Sequence, residues 1–163
     1  MTEQSIEDRH PVKPDVARAQ ATEYLGFLGS VIYDLGDGET WELPNPALMP
    51  PDMKARYNEH LRFLAEDLDT IERTDPITKE TRQVQKYPLR YRDKLINDEE
   101  LLCIALMGTD AVKDRESYFE NGALPAIYRK FLAAGGVPGQ IGAAWQMMAR
   151  QIERRRESDP KSR

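Results

Sequence analysis

The side chains that most often carry metal or nucleophilic chemistry are scarce in this sequence. It contains two histidines, His10 and His60, and one cysteine, Cys103. None of them has a Cys, Ser or carboxylate at the spacing of a catalytic triad or a zinc site. Cys103 lies within an apolar run, residues 101–107, which is typical of a small buried hydrophobe. A single cysteine also excludes an internal disulfide and is typical of a reducing compartment.

The acidic residues form no catalytic pattern either. Asp34, Asp37 and Glu39 surround a glycine turn, but their spacing is not that of an EF-hand calcium loop. Asp67 and Asp69 are two residues apart, so on a helix they would point to different faces. The GxxxxGK[ST], strand-linked GxGxxG and GxSxG motifs are all missing. The sequence therefore predicts a protein that is not an enzyme and that uses no metal or other cofactor.

Length and charge narrow the class of protein further. The 163 residues fit one domain, and 40% hydrophobic residues are enough for a modest core. The net charge of −5 argues against a dedicated nucleic-acid binder, which usually carries a basic surplus. No run approaches the roughly 18–20 apolar residues of a membrane span, and the polar N-terminus lacks the apolar core of a signal peptide. We therefore expect a soluble cytoplasmic protein with no membrane partner.

An αα-hairpin over residues 123–156 is the element around which the chain is organised. Two amphipathic stretches flank Gly135-Gly136, which can supply the left-handed residue that ends a helix. Pro138 cannot continue the first helix but suits the first turn of the second. The apolar positions recur at three- and four-residue spacing, and they are Leu124, Ile127, Tyr128 and Phe131 in the first helix and Ile141, Trp145, Met148 and Ile152 in the second.

The remaining signals predict a mainly α fold, a small helical domain of about five helices with one N-terminal β-hairpin packed on it. Asp37-Gly38 between two β-prone runs predicts that hairpin near residues 31–43. Heptad-like spacing predicts a helix over residues 52–73, as a core helix rather than a partner-binding coiled coil. His60 falls on its charged side. Its apolar positions are Met53, Tyr57, Leu61, Leu64, Leu68 and Ile71.

Two shorter helices are predicted between this long helix and the C-terminal hairpin. Asn97 or Asp98 can cap the first, which Gly108 would end. Thr109 or Asp110 can cap the second, which covers residues 111–120 and ends at Asn121-Gly122.

The domain itself is predicted to span residues 29–156. Residues 1–28 are expected to form a mobile N-terminal arm, with a short helix within residues 17–27 as an alternative. Residues 157–163 are expected to be a frayed tail.

Residues 74–92 have no periodicity and are predicted to be a mobile surface loop within the domain. Their basic residues interleave with Tyr87 and Tyr91, a composition that also occurs in nucleic-acid patches. A docking segment that orders on a partner is a further interpretation. The basic residues are Lys79, Arg82, Lys86, Arg90 and Arg92.

Two stretches carry a resemblance to a known family. One is GDGETWELPNPALMPPDMKARY, a β-hairpin that ends in Pro-Asn-Pro and leads into a helix. The other is IYRKFLAAGGVPGQIGAAWQMMARQ, a helical elbow with a Trp soon after Ala-Gly-Gly. Together they resemble the tail assembly chaperones of long-tailed phages of actinobacteria, over about residues 29–151. The basic loop at residues 74–92 is longer than the family pattern, which leaves its role open.

The resemblance implies the short form of a lambda-type pair of short and long chaperones. Such a protein is not catalytic: it coats the tape measure protein in the host cell cytoplasm and keeps it soluble until tail tube subunits polymerise around it. The tail tube protein, a frameshifted long form of the chain and a homo-oligomer are further partners to consider.

A groove between helices would bury the apolar stripe of such a helical client, with the C-terminal hairpin as one wall. Trp and Met at helical spacing are also typical of a plain core. The rival interpretation is a small DNA-associated or head–tail completion protein, because two helices joined by a turn and followed by arginines also describe a helix-turn-helix. The candidate partner-binding residues are Phe131, Ile141, Trp145, Met147, Met148, Arg150 and Ile152.

Overall fold

The computed structural model describes residues 11–26 and 29–158. Within these ranges the chain is mainly α, as the sequence predicts, but it has six α-helices and three two-stranded antiparallel sheets rather than about five helices and one hairpin. The helices are α1 (Pro14–Leu25), α2 (Pro51–Glu66), α3 (Asp98–Met107), α4 (Ala111–Asn121), α5 (Ala126–Ala133) and α6 (Pro138–Ser158), with a 3₁₀ helix at Pro46–Leu48. The strands are β1 (Ser30–Gly36), β2 (Glu39–Pro44), β3 (Thr70–Thr74), β4 (Thr81–Gln85), β5 (Arg90–Tyr91) and β6 (Lys94–Leu95).

Helix α3 forms the centre of the core. A helix that is apolar on every side requires neighbours on every side, and α2, α4, α5 and α6 all contact it. The predicted caps are confirmed: the Asn97 side chain accepts from the Glu100 N–H, and Gly108 ends the helix. Asp110 caps α4 in the same way, and Gly122 ends α4 in the left-handed conformation. The buried residues of α3 are Leu101, Cys103, Ile104, Ala105, Leu106 and Met107.

The hairpin β1–β2 is confirmed where the sequence places it. Asp37 and Gly38 both have positive φ, as a tight hairpin turn requires. Its inner face pairs Tyr33 with Trp41, and the Tyr33 ring meets the Phe131 ring edge-on at a centroid distance of 5.5 Å. This contact fixes the hairpin on α5.

Helix α2 is shorter than predicted, because the chain leaves it after Glu66. Three residues later, the Asp69 carboxylate accepts hydrogen bonds from the N–H groups of Arg92 (3.0 Å) and Asp93 (2.8 Å). Both of these residues have positive φ in the turn between β5 and β6. The prediction of a continuous heptad seam over residues 52–73 is therefore wrong. Its last member, Ile71, lies on a strand and is 46% exposed.

The assignment of His60 to the charged side of α2 is also wrong. His60 is buried, whereas Leu61, an apolar position of the seam, is exposed. The helix has turned Phe63 into the core beside the Tyr91 and Phe119 rings, at centroid distances of 4.9 and 6.1 Å. His60 consequently faces inward one turn earlier, with its Nε2 3.4 Å from Asp98 Oδ1.

The predicted loop at residues 74–92 contains the end of β3, the whole of β4 and the whole of β5, joined by turns. β3 and β4 form a regular antiparallel hairpin from Thr70↔Gln85 to Thr74↔Thr81. Tyr91 follows in β5, where its ring packs against Phe119. Cross-strand pairing supplies the order that periodicity along the chain does not reveal.

The ends of the chain also differ from the expectation. Helix α1 begins at Pro14, within the predicted arm, and agrees with the alternative of a short helix there. Helix α6 continues to Ser158, into the predicted tail. Residues 1–10, 27–28 and 159–163 of the predicted arm and tail lie outside the described residues.

Candidate partner-binding site

The seven candidate partner-binding residues fall into two groups, those buried in the core and those at its exposed margin. Met147 is 44% exposed, and Arg150 is exposed. Trp145 instead packs on Tyr57, with a ring-centroid distance of 5.1 Å. The apolar stripe of α6 is therefore the seam that attaches α6 to the body, and only its margin is exposed. The buried candidates are Phe131, Ile141, Trp145 and Met148, and Ile152 is half-buried.

An apolar cleft of about 380 Å³ lies between α1 and the segment that leads from β2 into α2. Prolines form much of its wall, because Pro44 ends β2 and Pro50 precedes the first turn of α2. Met53 forms the wall from the first turns of α2. The cleft is lined by Ala19, Glu23, Glu42, Pro44, Leu48, Pro50 and Met53.

Asn45 holds this segment against the body. It is a buried polar residue whose Oδ1 accepts from the Ala47 N–H at 2.9 Å, and whose Nδ2 donates to the Met148 carbonyl at 3.4 Å. Its backbone N–H donates to the Gly29 carbonyl at 2.8 Å. The floor of the cleft is thereby fixed to both α6 and the start of β1, a preorganised surface rather than a loose loop.

Two carboxylates give the cleft a negative charge. Glu23 of α1 and Glu42 of β2 both line it, and both are exposed. No cation among the described side chains pairs with either of them. An apolar cleft whose carboxylates pair with no described cation suits a partner that presents apolar side chains together with basic ones.

Sequence reasoning missed this cleft because its walls come from three separate segments. The resemblance includes the Pro-Asn-Pro stretch, but nothing local shows that α1 lies over it. One signal was available, since Ala19 and Glu23 are four residues apart and share one face of α1.

The groups that could carry chemistry are used in packing. Burial raises the pKa of the Cys103 thiol to about 12, and its Sγ–H donates to the Pro138 carbonyl at 3.9 Å. Tyr118 and Tyr128 both donate to the Glu100 carboxylate, at 2.6 and 3.3 Å. Burial raises the pKa of both phenols, which stay neutral. Among the described residues, no cluster of His, Cys, Asp and Glu could hold a metal ion.

Glu59, on α2, forms an ion pair that links α2 to α4. Its carboxylate accepts from Arg62 at 2.6 Å and from the buried Arg115 at 3.3 Å. These hydrogen bonds, that of Arg62 foremost, lower the pKa of Glu59 to about 2. A carboxyl with a depressed pKa stabilises the fold above its unfolded pKa, and this contribution is lost as pH falls towards the folded pKa.

We expect Glu59→Gln to lower the free energy of unfolding at pH 7 by about 1–3 kcal/mol, since hydrogen bonds to charged groups contribute about that much. The difference from the parent should shrink between about pH 4.5 and pH 2, where the parent itself becomes protonated. Urea unfolding across this range measures it. Glu66→Gln is the matched control, because Glu66 binds the same Arg62 from an exposed position. An equal loss in both variants at pH 7 would contradict the assignment.

No described helix is long and apolar enough to cross a bilayer.

Comparisons with known proteins assign no family to this chain. Searches against protein-family models, curated proteins and solved structures gave no match.

Proposed function

We propose that this chain is a phage tail assembly chaperone that binds the tape measure protein in the host cell cytoplasm and keeps it soluble until the tail tube polymerises. The observation that carries the proposal is the preorganised apolar cleft between α1 and the β2–α2 segment. One side of the cleft, with Pro44, Leu48, Pro50 and Met53, lies within the stretch that resembles the family, whereas the α1 side lies before it.

The physics of the client favours such a cleft. A long amphipathic helix has an apolar stripe that aggregates unless it is covered, and grooves beside helices cover such stripes. Helix α1 is suited to be a movable wall above the fixed floor of the cleft. Among its described side chains only Ala21 is half-buried, and the others are exposed. Met53 adds an adaptable thioether surface at the base of the cleft. Chaperone activity of this kind needs no catalytic group.

The first test is whether a long helical reading frame lies just downstream of the gene. That protein is then co-expressed with the chain, and its soluble fraction is measured. Leu48→Glu should reduce the soluble fraction towards that without the chaperone. A carboxylate in the apolar cleft costs about 1–3 kcal/mol of binding free energy, or roughly 5–150-fold in affinity.

Met147→Glu is the matched control, since it also replaces one apolar side chain by a carboxylate, on the exposed margin of α6, and leaves the core intact. Circular dichroism of each variant alone establishes that it is folded. If the control loses the client and Leu48→Glu keeps it, the binding surface is the C-terminal hairpin. If neither variant changes the soluble fraction, the proposed cleft is wrong.

A further inference from the structure

The hairpin β3–β4 stands out from the body. Nine of its ten strand residues are exposed, and the tenth, Val84, is half-buried. Its base is held by the Lys86 N–H, which donates to the Asp69 carbonyl at 2.9 Å, and by the Gln85 side chain, which donates to the Leu64 carbonyl. At its tip Ile77 is 89% exposed. An isolated two-stranded hairpin is marginal in water, so a surface that covers one face would stabilise it.

One face of this hairpin carries a single carboxylate, that of Glu72, and its polar side chains bond to one another. The Thr74 and Thr81 hydroxyls form a hydrogen bond at 3.0 Å, and Gln83 donates to Glu72 at 3.4 Å. The opposite face, which we call the arginine face, contains Ile71, Arg73, Arg82 and Val84. Its cross-strand pairs are Ile71↔Val84 and Arg73↔Arg82.

The arginine face carries charge that no described carboxylate neutralises. Like charges directly opposite each other destabilise a strand pair, and no described carboxylate forms an ion pair with Arg73 or Arg82. Three other basic residues of this segment are paired: Lys86 and Arg90 lie near Asp93 (both 3.8 Å), and Arg92 lies 3.1 Å from Glu116. Lys79, in the turn between the strands, forms no ion pair with a described carboxylate. Two bare arginines beside two apolar side chains therefore suit an acidic, partly apolar surface.

The chain itself has such a surface, in the cleft between α1 and the β2–α2 segment. The cleft is apolar, and its two carboxylates, Glu23 and Glu42, have no partner among the described cations. Ile32, which pairs with Glu42 across β1–β2 and is 66% exposed, adds apolar area beside it. No residue of the hairpin lines the cleft of its own chain. A concave acidic surface and a projecting basic one on the same chain are complementary.

We propose that hairpin β3–β4 of one copy docks into the cleft of a second copy. Ile71 and Val84 enter the apolar lining, while Arg73 and Arg82 meet Glu23 and Glu42. The contact joins two different patches, so it continues from copy to copy as a ring or an open array. The inference does not rest on the chaperone function, because it concerns the chain alone. Where both hold, a client and a second copy compete for one cleft.

Charge reversal on each side separately provides the test. Sedimentation velocity of the parent over a range of concentrations should show association. Arg73→Glu/Arg82→Glu and Glu23→Arg/Glu42→Arg should each weaken it at least tenfold, since each variant opposes like charges. An equimolar mixture of the two variants should associate again, because each hairpin then faces a cleft of opposite charge.

Lys113→Glu/Arg129→Glu is the matched control for the first variant. It makes the same change in net charge at exposed positions on α4 and α5, and it should associate as the parent does. Far-ultraviolet circular dichroism checks each variant, and Arg73→Ala/Arg82→Ala replaces the reversal if that variant is unfolded. The alanine variant should also weaken association.

Three results would overturn the proposal. The parent could be monomeric at all concentrations, both reversals could associate as the parent does, or the mixture could remain monomeric. Fluorescence anisotropy with a mixed-sequence DNA duplex tests whether the arginine face binds a nucleic acid, the other class of anionic partner. If the duplex binds the parent and not Arg73→Glu/Arg82→Glu, and the parent is monomeric, the arginine face belongs to a nucleic acid instead. A client that stays soluble in those same conditions would leave the chaperone proposal standing.

Discussion

Gly135→Val/Gly136→Val is expected to remove much of the stability of the whole chain. Gly135 has φ +95°, where a β-branched residue costs about 1–2 kcal/mol. A Cβ on Gly136 would overlap the buried Phe131 ring, so the ring would have to shift, and such overpacking costs about 1–3 kcal/mol. The sum is about 2–5 kcal/mol, against a total stability of about 5–15 kcal/mol.

Thermal unfolding followed by circular dichroism measures the effect. At roughly 2–4 °C per kcal/mol for a chain of this size, the melting temperature should fall by about 4–20 °C. Gly139→Val is the control, because Gly139 lies in the first turn of α6, where the nearest atom to an added Cβ is Glu99 Oε2, at 3.1 Å on a flexible side chain. Equal melting temperatures for the double variant and the parent would mean that the elbow does not constrain the fold.

The elements that the sequence predicts well are those determined by near neighbours. Asn97 and Gly108 bound α3 through hydrogen bonds that span three or four residues. Gly135 ends the α5 segment within two residues of Ala133, and Asp37-Gly38 turns β1 into β2. Such signals act over a single turn, and they are complete in the sequence itself.

The elements that the sequence misplaces depend on partners far along the chain. The heptad spacing continues past Glu66, but the helix ends there, and Asp69 is bonded instead to residues more than twenty positions away. The same holds for the basic segment at residues 74–92. Its charges appear free in the sequence, but Asp93 and Glu116 neutralise three of them in the fold. Periodicity contains no information about such tertiary partners.

The candidate site also has one part that a local pattern predicts and another that depends on segments far apart in the chain. The sequence predicts an apolar stripe on α6, but spacing alone cannot tell an apolar face that packs on the body from one that is free to bind a partner. The structure packs Trp145 on Tyr57 and leaves Met147 exposed. The cleft, by contrast, needs α1, β2 and α2 to converge, and no local pattern predicts that convergence.

Trp145→Ala is accordingly expected to destabilise the fold rather than to weaken a binding surface. Trp145 is 7% exposed and its ring lies 5.1 Å from that of Tyr57. Replacing a buried Trp by Ala costs about 3–5 kcal/mol through lost transfer free energy and the remaining cavity. That loss should appear as a fall in melting temperature of roughly 6–20 °C.

Met147→Ala provides the comparison two residues further along the same helix. Met147 is largely exposed, so its truncation should change the free energy of unfolding by about 0.5 kcal/mol or less. Urea unfolding of both variants gives the two values, and client solubility on co-expression gives the second measurement. A folded Trp145→Ala variant with the stability of the parent and no client binding would place Trp145 at the surface that the client covers. A large loss of stability, with Met147→Ala unchanged, assigns the α6 stripe to the core, because only a buried indole leaves a cavity when it is removed.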